Sequence, residues 1–84
     1  MDAQRVKVDY HVNRYQGDVV VETELVDTTR VDYYDGAKVD GFYDRHGWSI
    51  TITYADGGFE AWAGHGLASF ETTYREACQL AENA

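Results

Sequence analysis

Several features are scarce in this 84-residue chain. Proline is absent and there is one cysteine, Cys78, so no disulfide within a chain can form. Secreted domains this small usually carry several disulfides, so a cytoplasmic location is expected. No segment has the ~18 consecutive apolar residues of a membrane span, and the first residues lack the apolar run of a signal peptide. The length predicts one domain, residues 1–84, and excludes a large enzyme with separate cofactor and substrate domains.

Positive charge is also scarce. The chain has 7 Lys and Arg against 15 Asp and Glu, a formal net charge of −8. No stretch of sequence gathers the cations, whereas nucleic-acid binding requires several together to neutralise phosphates. We therefore expect no direct binding to DNA or RNA and none to an anionic membrane. The acids are spread over both halves of the chain, which predicts an acidic folded surface rather than an acidic tail.

Alternation of apolar and polar residues predicts an antiparallel sheet. The first segment places four large residues on one face, as is typical of a half-buried strand: Val6, Val8, Tyr10 and Val12. A turn at 16–17 and a second alternating run over 18–26 complete a hairpin. The stretch 27–30 is either a loop or a bulged continuation of that second strand. Further short strands are indicated over 31–34, 37–44, 48–54 and 59–63, with Gly41 breaking the second of them.

Helical spacing replaces strand alternation near the C-terminus. Five residues predict an amphipathic helix that ends at about Asn83: Phe70, Tyr74, Ala77, Cys78 and Ala81. Two N-caps compete, Ser69 for a long helix and Thr73, with the capping-box residue Glu76, for a shorter one. The predicted fold is α+β, an antiparallel sheet of four to five strands with one C-terminal helix packed on one face.

No strong catalytic or metal-binding motif is present. The histidines at positions 11, 46 and 65 match no zinc spacing, so neither a metal site nor a cofactor is expected. Cys78 lies on the apolar helix face without a partner base, which is typical of a buried structural cysteine. The chain is therefore predicted not to be an enzyme. The enzymatic alternative is a small hydrolase or nuclease that uses Asp44, His46 and His65.

Acidic and aromatic residues occur together between positions 22 and 44. Two acids of the second strand, two residues apart, share a face, and two similar Val-Asp-aromatic stretches, 31–35 and 39–44, are expected to lie opposite each other. Tyrosine gives a large contact area at a small entropic cost, and carboxylates complement a basic partner. The predicted partner-binding residues are Glu22, Glu24, Asp32, Tyr33, Tyr34, Asp35, Asp40, Tyr43 and Asp44.

The C-terminal third, from Trp48 to Ala84, resembles two families. Segments 54–61 and 73–77 resemble the aspartate–glycine turn, strand and threonine-capped helix of HicB-type antitoxins, although 64–66 stands where that family usually has proline and glycine. The same third resembles the end of a double-stranded-RNA-binding domain. That family needs lysines at the helix start, where this chain has Glu71, Thr72 and Thr73, so the resemblance implies no RNA binding.

As a whole the chain is similar in type to small phage-encoded inhibitors, notably anti-CRISPR proteins, in its size, acidity and mixture of strands and helix. That resemblance implies a non-enzymatic inhibitor that binds a basic nucleic-acid-binding surface of a protein or ribonucleoprotein complex in the host cytoplasm. The alternative is an antitoxin or immunity protein that neutralises a basic nuclease toxin. The sequence leaves the oligomeric state open.

Overall fold

A computed structural model describes residues 4–84 and confirms the α+β fold. One sheet contains five antiparallel strands in chain order, and one helix packs on it. The elements are β1 (Gln4–Gln16), β2 (Val19–Tyr33), β3 (Ala37–Asp44), β4 (Gly47–Tyr54), β5 (Phe59–Gly64) and α1 (Leu67–Glu82). The N-terminal residues considered for a signal peptide lie in part outside the described range, as do positions 1–3 of the predicted domain. Among described residues, no helix has the length and apolar character needed to cross a membrane.

The first two strands are longer than predicted. Segments 18–26 and 31–34 belong to one strand, because 27–30 continues it, as the second of the two alternatives for that stretch proposed. Register shifts against β1 leave Val21 and Val26 without opposite residues, so two bulges lie on β2. A bulge adds a residue and increases the local twist while the strands stay paired on either side. Six candidate strands therefore become five.

The hydrophobic core lies between α1 and the two strands β3 and β4. Its buried residues are Ala37, Val39, Trp48, Ile50, Ile52, Phe70, Tyr74, Ala77 and Ala81. The predicted apolar helix face is confirmed, with Cys78 partly buried beside it. The prediction that Gly41 breaks its strand is wrong. A Cβ at Gly41 would lie 2.7 Å from the Tyr74 ring, so glycine is what allows the helix aromatics to pack against an unbroken β3.

The helix begins before either predicted N-cap. Gly66 is the N-cap residue, with a φ of 92° that favours glycine, and α1 starts at the next residue. Ser69 lies within the first turn, where its hydroxyl donates to the His65 carbonyl at 2.6 Å. The same hydroxyl accepts the indole N–H of Trp48 at 2.8 Å, which ties the helix start to β4. Thr73 lies inside the helix, so both N-cap predictions are wrong.

The prediction of a half-buried first strand is also wrong. Val6, Val8 and Tyr10 are 49%, 63% and 57% exposed, and every residue of β1 is exposed. The register places Arg5 opposite Asp32, which in turn contacts the helix residue Tyr74. The odd-numbered residues at the start of β1 therefore lie on the helix side of the sheet. The apolar even-numbered residues project from the opposite face, which no described element covers.

Candidate partner-binding surface

The hairpin formed by β1 and β2 extends well past the rest of the sheet. The last pair between β2 and β3 is Thr28 with Tyr43, so residues 11–27, here called the arm, form a hairpin with no third described strand. The molecule measures 54 × 28 × 16 Å. Its radius of gyration is 15.2 Å, above the about 12 Å expected of a compact chain of this length. The arm accounts for this elongation.

Apolar and acidic side chains share the arm. The exposed large apolar residues are Val12, Tyr15, Val19, Val20 and Val21. The acids are Asp18, Glu22, Glu24 and Asp27, against Arg14 as the one Lys or Arg. An isolated two-stranded hairpin is marginally stable in water, and contiguous exposed apolar surface marks interaction sites. The arm therefore combines exposed apolar and acidic side chains on a hairpin that no described element covers.

The two predicted acids of the arm lie on one face. No bulge separates Glu22 from Glu24, which stand opposite Arg14 and Val12. Arg14 Nε lies 3.4 Å from Glu22 Oε2, and Arg45 Nη2 lies 3.2 Å from Glu24 Oε2. All four side chains are about half exposed or more, and exposed ion pairs typically contribute only about 0.2–1 kcal/mol. A partner with well-placed cations can therefore compete for both carboxylates.

The other predicted residues do not join this surface. Asp35 lies in the turn between β2 and β3, at the end of the sheet away from the arm. Tyr33 and Asp40 lie on the face away from α1, where Lys38 Nζ is 3.5 Å from the Asp40 carboxylate. The two Val-Asp stretches do lie opposite each other, with Val31 paired to Asp40. Of their acids, Asp35 and Asp40 lie apart from the arm and are here called the second surface.

Asp32 lies inside the protein, which corrects its assignment to a partner-binding surface. It is 3% exposed. The Tyr74 hydroxyl donates to Oδ2 at 2.6 Å and Arg5 Nε donates to Oδ1 at 2.7 Å, while the Cys78 thiol is a weaker donor at 3.8 Å. Burial and this hydrogen bond raise the pKa of Tyr74. The carboxylate ties the first two strands to the helix and is not available to a partner.

Three further predicted residues also have contacts within the fold. Tyr34 and Tyr43 pack against the core, and the Tyr43 ring centroid lies 5.8 Å from that of Phe70. Asp44 Oδ1 accepts the backbone N–H groups of His46, at 2.7 Å, and Gly47, at 3.1 Å. These contacts position the β3–β4 turn. Only part of each side chain remains available to a partner.

The residues of the enzymatic alternative do lie at one end of the sheet. Asp44, His46 and His65 line an open depression of about 530 Å³ beside Trp48. His65 Nδ1 is 3.0 Å from the His46 carbonyl oxygen, and Asp44 bonds the turn backbone. Within residues 4–84, no side-chain hydrogen bond joins the three, and no group of three metal-ligating side chains is found. The enzymatic alternative therefore stays a prediction.

Four of the seven cations meet at a cleft of about 300 Å³ beside the helix. Its lining residues are Arg5, Lys7, Arg30, Asp32, Glu71, Tyr74, Arg75 and Cys78. Arg30 donates to both Glu71 oxygens, at 2.8 and 2.6 Å, and lies 5.2 Å from the Phe70 ring centroid. This hydrogen bonding is the main cause of the lowered pKa of Glu71. Asp32 and Glu71 neutralise part of the positive charge, so the cleft is foremost a structural ion network.

Comparison with known proteins finds no relative. No family model, no curated protein and no solved structure matches this chain. The likenesses to antitoxins, RNA-binding domains and phage inhibitors therefore stay predictions.

The arm is the candidate site that the sequence interpretation did not recognise. A signal for it is present in strand length. The runs on either side of the turn at Gly17 form strands of 13 and 15 residues, whereas the other three have 8, 8 and 6. Two neighbouring strands that are nearly twice as long as the rest must extend past the sheet. Treating 27–30 as a possible loop concealed that difference.

Proposed function

We propose that this chain is a non-enzymatic acidic inhibitor that binds a basic nucleic-acid-binding surface of a larger protein or ribonucleoprotein complex. The arm is the observation that supports this proposal. It is a two-stranded hairpin that extends past the rest of the sheet, with the exposed Arg45–Glu24 ion pair at its base, and it exposes valine, tyrosine and carboxylate side chains together. A narrow acidic projection suits a basic groove that normally accommodates a nucleic-acid strand.

Charge and apolar contact have different roles in this proposal. The arm carries four acids and one arginine, 1 − 4 = −3, counting histidine as neutral. Carboxylates attract a basic surface and speed association, an effect that salt weakens. Burial of the valines and of Tyr15 then stabilises the complex, because the gain is proportional to the apolar area removed from water. The protein should therefore compete with nucleic acid for one protein surface while binding no nucleic acid itself.

The acids of the arm are the proposed binding residues. Two of them, Glu22 and Glu24, are also predicted from the sequence, and the other two are Asp18 and Asp27. The inhibitor would act in the cytoplasm, that of the host cell if a phage encodes it. The second surface, which includes Asp35 and Asp40, is the natural internal control.

A displacement experiment tests the proposal. Host proteins that bind nucleic acid are loaded on DNA-cellulose, the purified domain is added, and released proteins are identified by mass spectrometry. Wild type should release one defined protein or complex. Glu22→Arg with Glu24→Arg should release far less, whereas Asp35→Arg with Asp40→Arg should act like wild type. Both pairs change the net charge from −8 to −4, so bulk charge is matched.

The outcomes separate the candidate functions. Equal loss of release by both double variants would make the effect one of bulk charge and overturn the arm as the binding site. Absence of any released protein with wild type would overturn the inhibitor proposal. Release of one small basic nuclease in place of a large complex would replace it with the antitoxin alternative. Circular dichroism of each variant checks that the sheet is intact.

A further inference from the structure

The outer edge of β1 has a length and regularity that call for a partner strand. Among residues 4–84, β1 is one edge of the sheet, and its 13 residues pair with β2 alone. Natural sheets usually keep exposed edges short or blunt them with proline, charge or bulges, because unpaired backbone groups recruit other strands. This edge contains no proline, and both bulges of the hairpin fall on β2, so charge is the one such device that β1 carries, in Arg5, Lys7, Asp9 and Arg14. The opposite edge, β5, has only 6 residues.

The apolar residues near this edge favour pairing side by side over stacking of sheet faces. Val6, Val8 and Tyr10 are exposed on the face away from α1. On that same face the two central strands β3 and β4 present mostly polar side chains: Lys38, Asp40, Phe42, Ser49, Thr51 and Thr53. Stacking two such faces would bury polar and charged groups, which is costly without new partners. Pairing at the edge leaves them in water.

We propose that β1 pairs with β1 of a second copy about a twofold axis at Val8, joining two sheets into one continuous antiparallel sheet. Paired residues of antiparallel strands project from the same face of the sheet. An axis perpendicular to the sheet therefore pairs even-numbered residues with even-numbered ones and odd with odd. With the axis at Val8, that residue lies opposite Val8 of the second copy. Val6 then lies opposite Tyr10 of the second copy, and Lys7 lies opposite its Asp9.

Charge selects this register. Moving the axis to Lys7 or to Asp9 sets identical charges directly opposite each other, and moving it to Tyr10 sets Val6 opposite Arg14. With the axis at Val8 each Lys7 gains an opposite charge, and opposite charges across a strand pair are stabilising. Lys7 Nζ is already 3.6 Å from the Asp9 carboxylate of its own strand. The dimer would therefore contain a square of alternating charges.

Net charge also favours association through this strand. Residues 4–16 carry three cations and one acid, 3 − 1 = +2. Residues 17–84 carry four cations and thirteen acids, 4 − 13 = −9. Two copies of such an acidic protein repel least when their one net-positive strand lies at the contact. Pairing of residues 4–12 leaves both arm tips free and directed away from each other, so the dimer does not depend on the proposed function and does not obstruct it.

Sedimentation equilibrium of the full chain, from low to high micromolar concentration, tests the dimer. Wild type should approach twice its mass of 9.5 kDa as concentration rises. Val8→Lys, which sets two lysines opposite each other on the axis, should raise the dimer dissociation constant at least tenfold. Val19→Lys makes the same chemical change at an exposed valine of the arm and should leave that constant unchanged.

Cross-linking locates the axis independently. In a Cys78→Ser background, Val8→Cys should form a disulfide-linked dimer on mild oxidation, because residues opposite each other have Cβ atoms about 4.5–5.5 Å apart. Val19→Cys should not. A mass that stays that of one chain at every concentration would overturn the proposal. So would a dimer that Val19→Lys dissociates and Val8→Lys does not, since the contact would then lie near the hairpin turn at Gly17 and not at Val8.

Discussion

Valine and isoleucine occur in two opposite settings in this protein. In β3 and β4, Val39, Ile50 and Ile52 are fully buried under the helix. In the arm, Val19 and Val20 belong to a hairpin that a bulge at Val21 interrupts, and they remain exposed. Both strand pairs are antiparallel, and the difference in burial comes from coverage. The helix α1 packs on β3 and β4, whereas no described element packs on the arm. Alternation thus indicates that a strand has an apolar face without indicating what covers it.

Charged groups show the same division. Near the helix, Asp32 is buried and accepts hydrogen bonds from three side chains. On the arm, Glu22 and Glu24 each have one exposed cation as partner. Removing a buried partner leaves a polar group unsatisfied, whereas water replaces an exposed one. The strands that α1 covers and α1 itself, here called the body, should therefore determine stability. Changes on the arm, where binding is proposed, should affect stability little.

Two phenylalanines give the largest expected contrast in stability. Phe70 is fully buried in α1, and Phe59 on β5 is 71% exposed. Phe70→Ala removes a ring that contacts three other aromatic rings, and buried Phe→Ala changes cost about 3–5 kcal/mol. Phe59→Ala should change the free energy of unfolding by less than about 0.5 kcal/mol. Urea denaturation of both variants measures the difference, and a similar loss in each would contradict the division into body and exposed surface.

Two aspartates give an intermediate contrast. Asp32→Ala leaves the buried Tyr74 hydroxyl without its acceptor, which should cost about 1–3 kcal/mol of unfolding free energy. Arg5 is 73% exposed, so water can hydrate it and limit the loss. Asp40→Ala removes a carboxylate on the open face and should fall within about 0.5 kcal/mol of wild type. If both variants unfold at the same denaturant concentration, Asp32 has no special structural role.

The body of the fold could be predicted because local signals there agree with the tertiary contacts. Alternation in Trp48–Tyr54 and helical spacing from Phe70 to Ala81 both mark the residues that meet in the core. The same alternation in Val6–Val12 predicted burial that does not occur. A helix about 10 Å across that runs along the strands covers two or three of them, because neighbouring strands are about 4.8 Å apart, and the sequence does not state which strands these are. Packing on β3 and β4 leaves β1 uncovered.

The site could be predicted only in part, for a related reason. Glu22 and Glu24 share an exposed face, which follows from strand periodicity alone. Burial of Asp32 depends on Tyr74, 42 residues later, and on the phase of the helix against the sheet. The gathering of Arg5, Lys7 and Arg30 depends likewise on the pairing of β1 with β2. Contacts between distant segments are set by packing, and residue type and spacing do not reveal them.

The smallest expected effect concerns pH and the one ion pair that joins β2 to the helix. The Arg30 hydrogen bonds lower the pKa of Glu71 below its ordinary 4.5, so the unfolded chain binds this proton more readily. The stabilisation is complete above pH 4.5 and is lost as pH falls through the lower value in the folded protein. Because Glu71 is 41% exposed, solvent screening should keep the effect below about 1 kcal/mol. Urea denaturation at a series of pH values across this range measures the effect. The unfolding free energy of Glu71→Gln should fall less steeply with decreasing pH than that of wild type. Glu76→Gln, an exposed change on the same helix, is the control. If the unfolding free energies of wild type and Glu71→Gln fall equally with decreasing pH, the Arg30–Glu71 pair does not couple β2 to the helix.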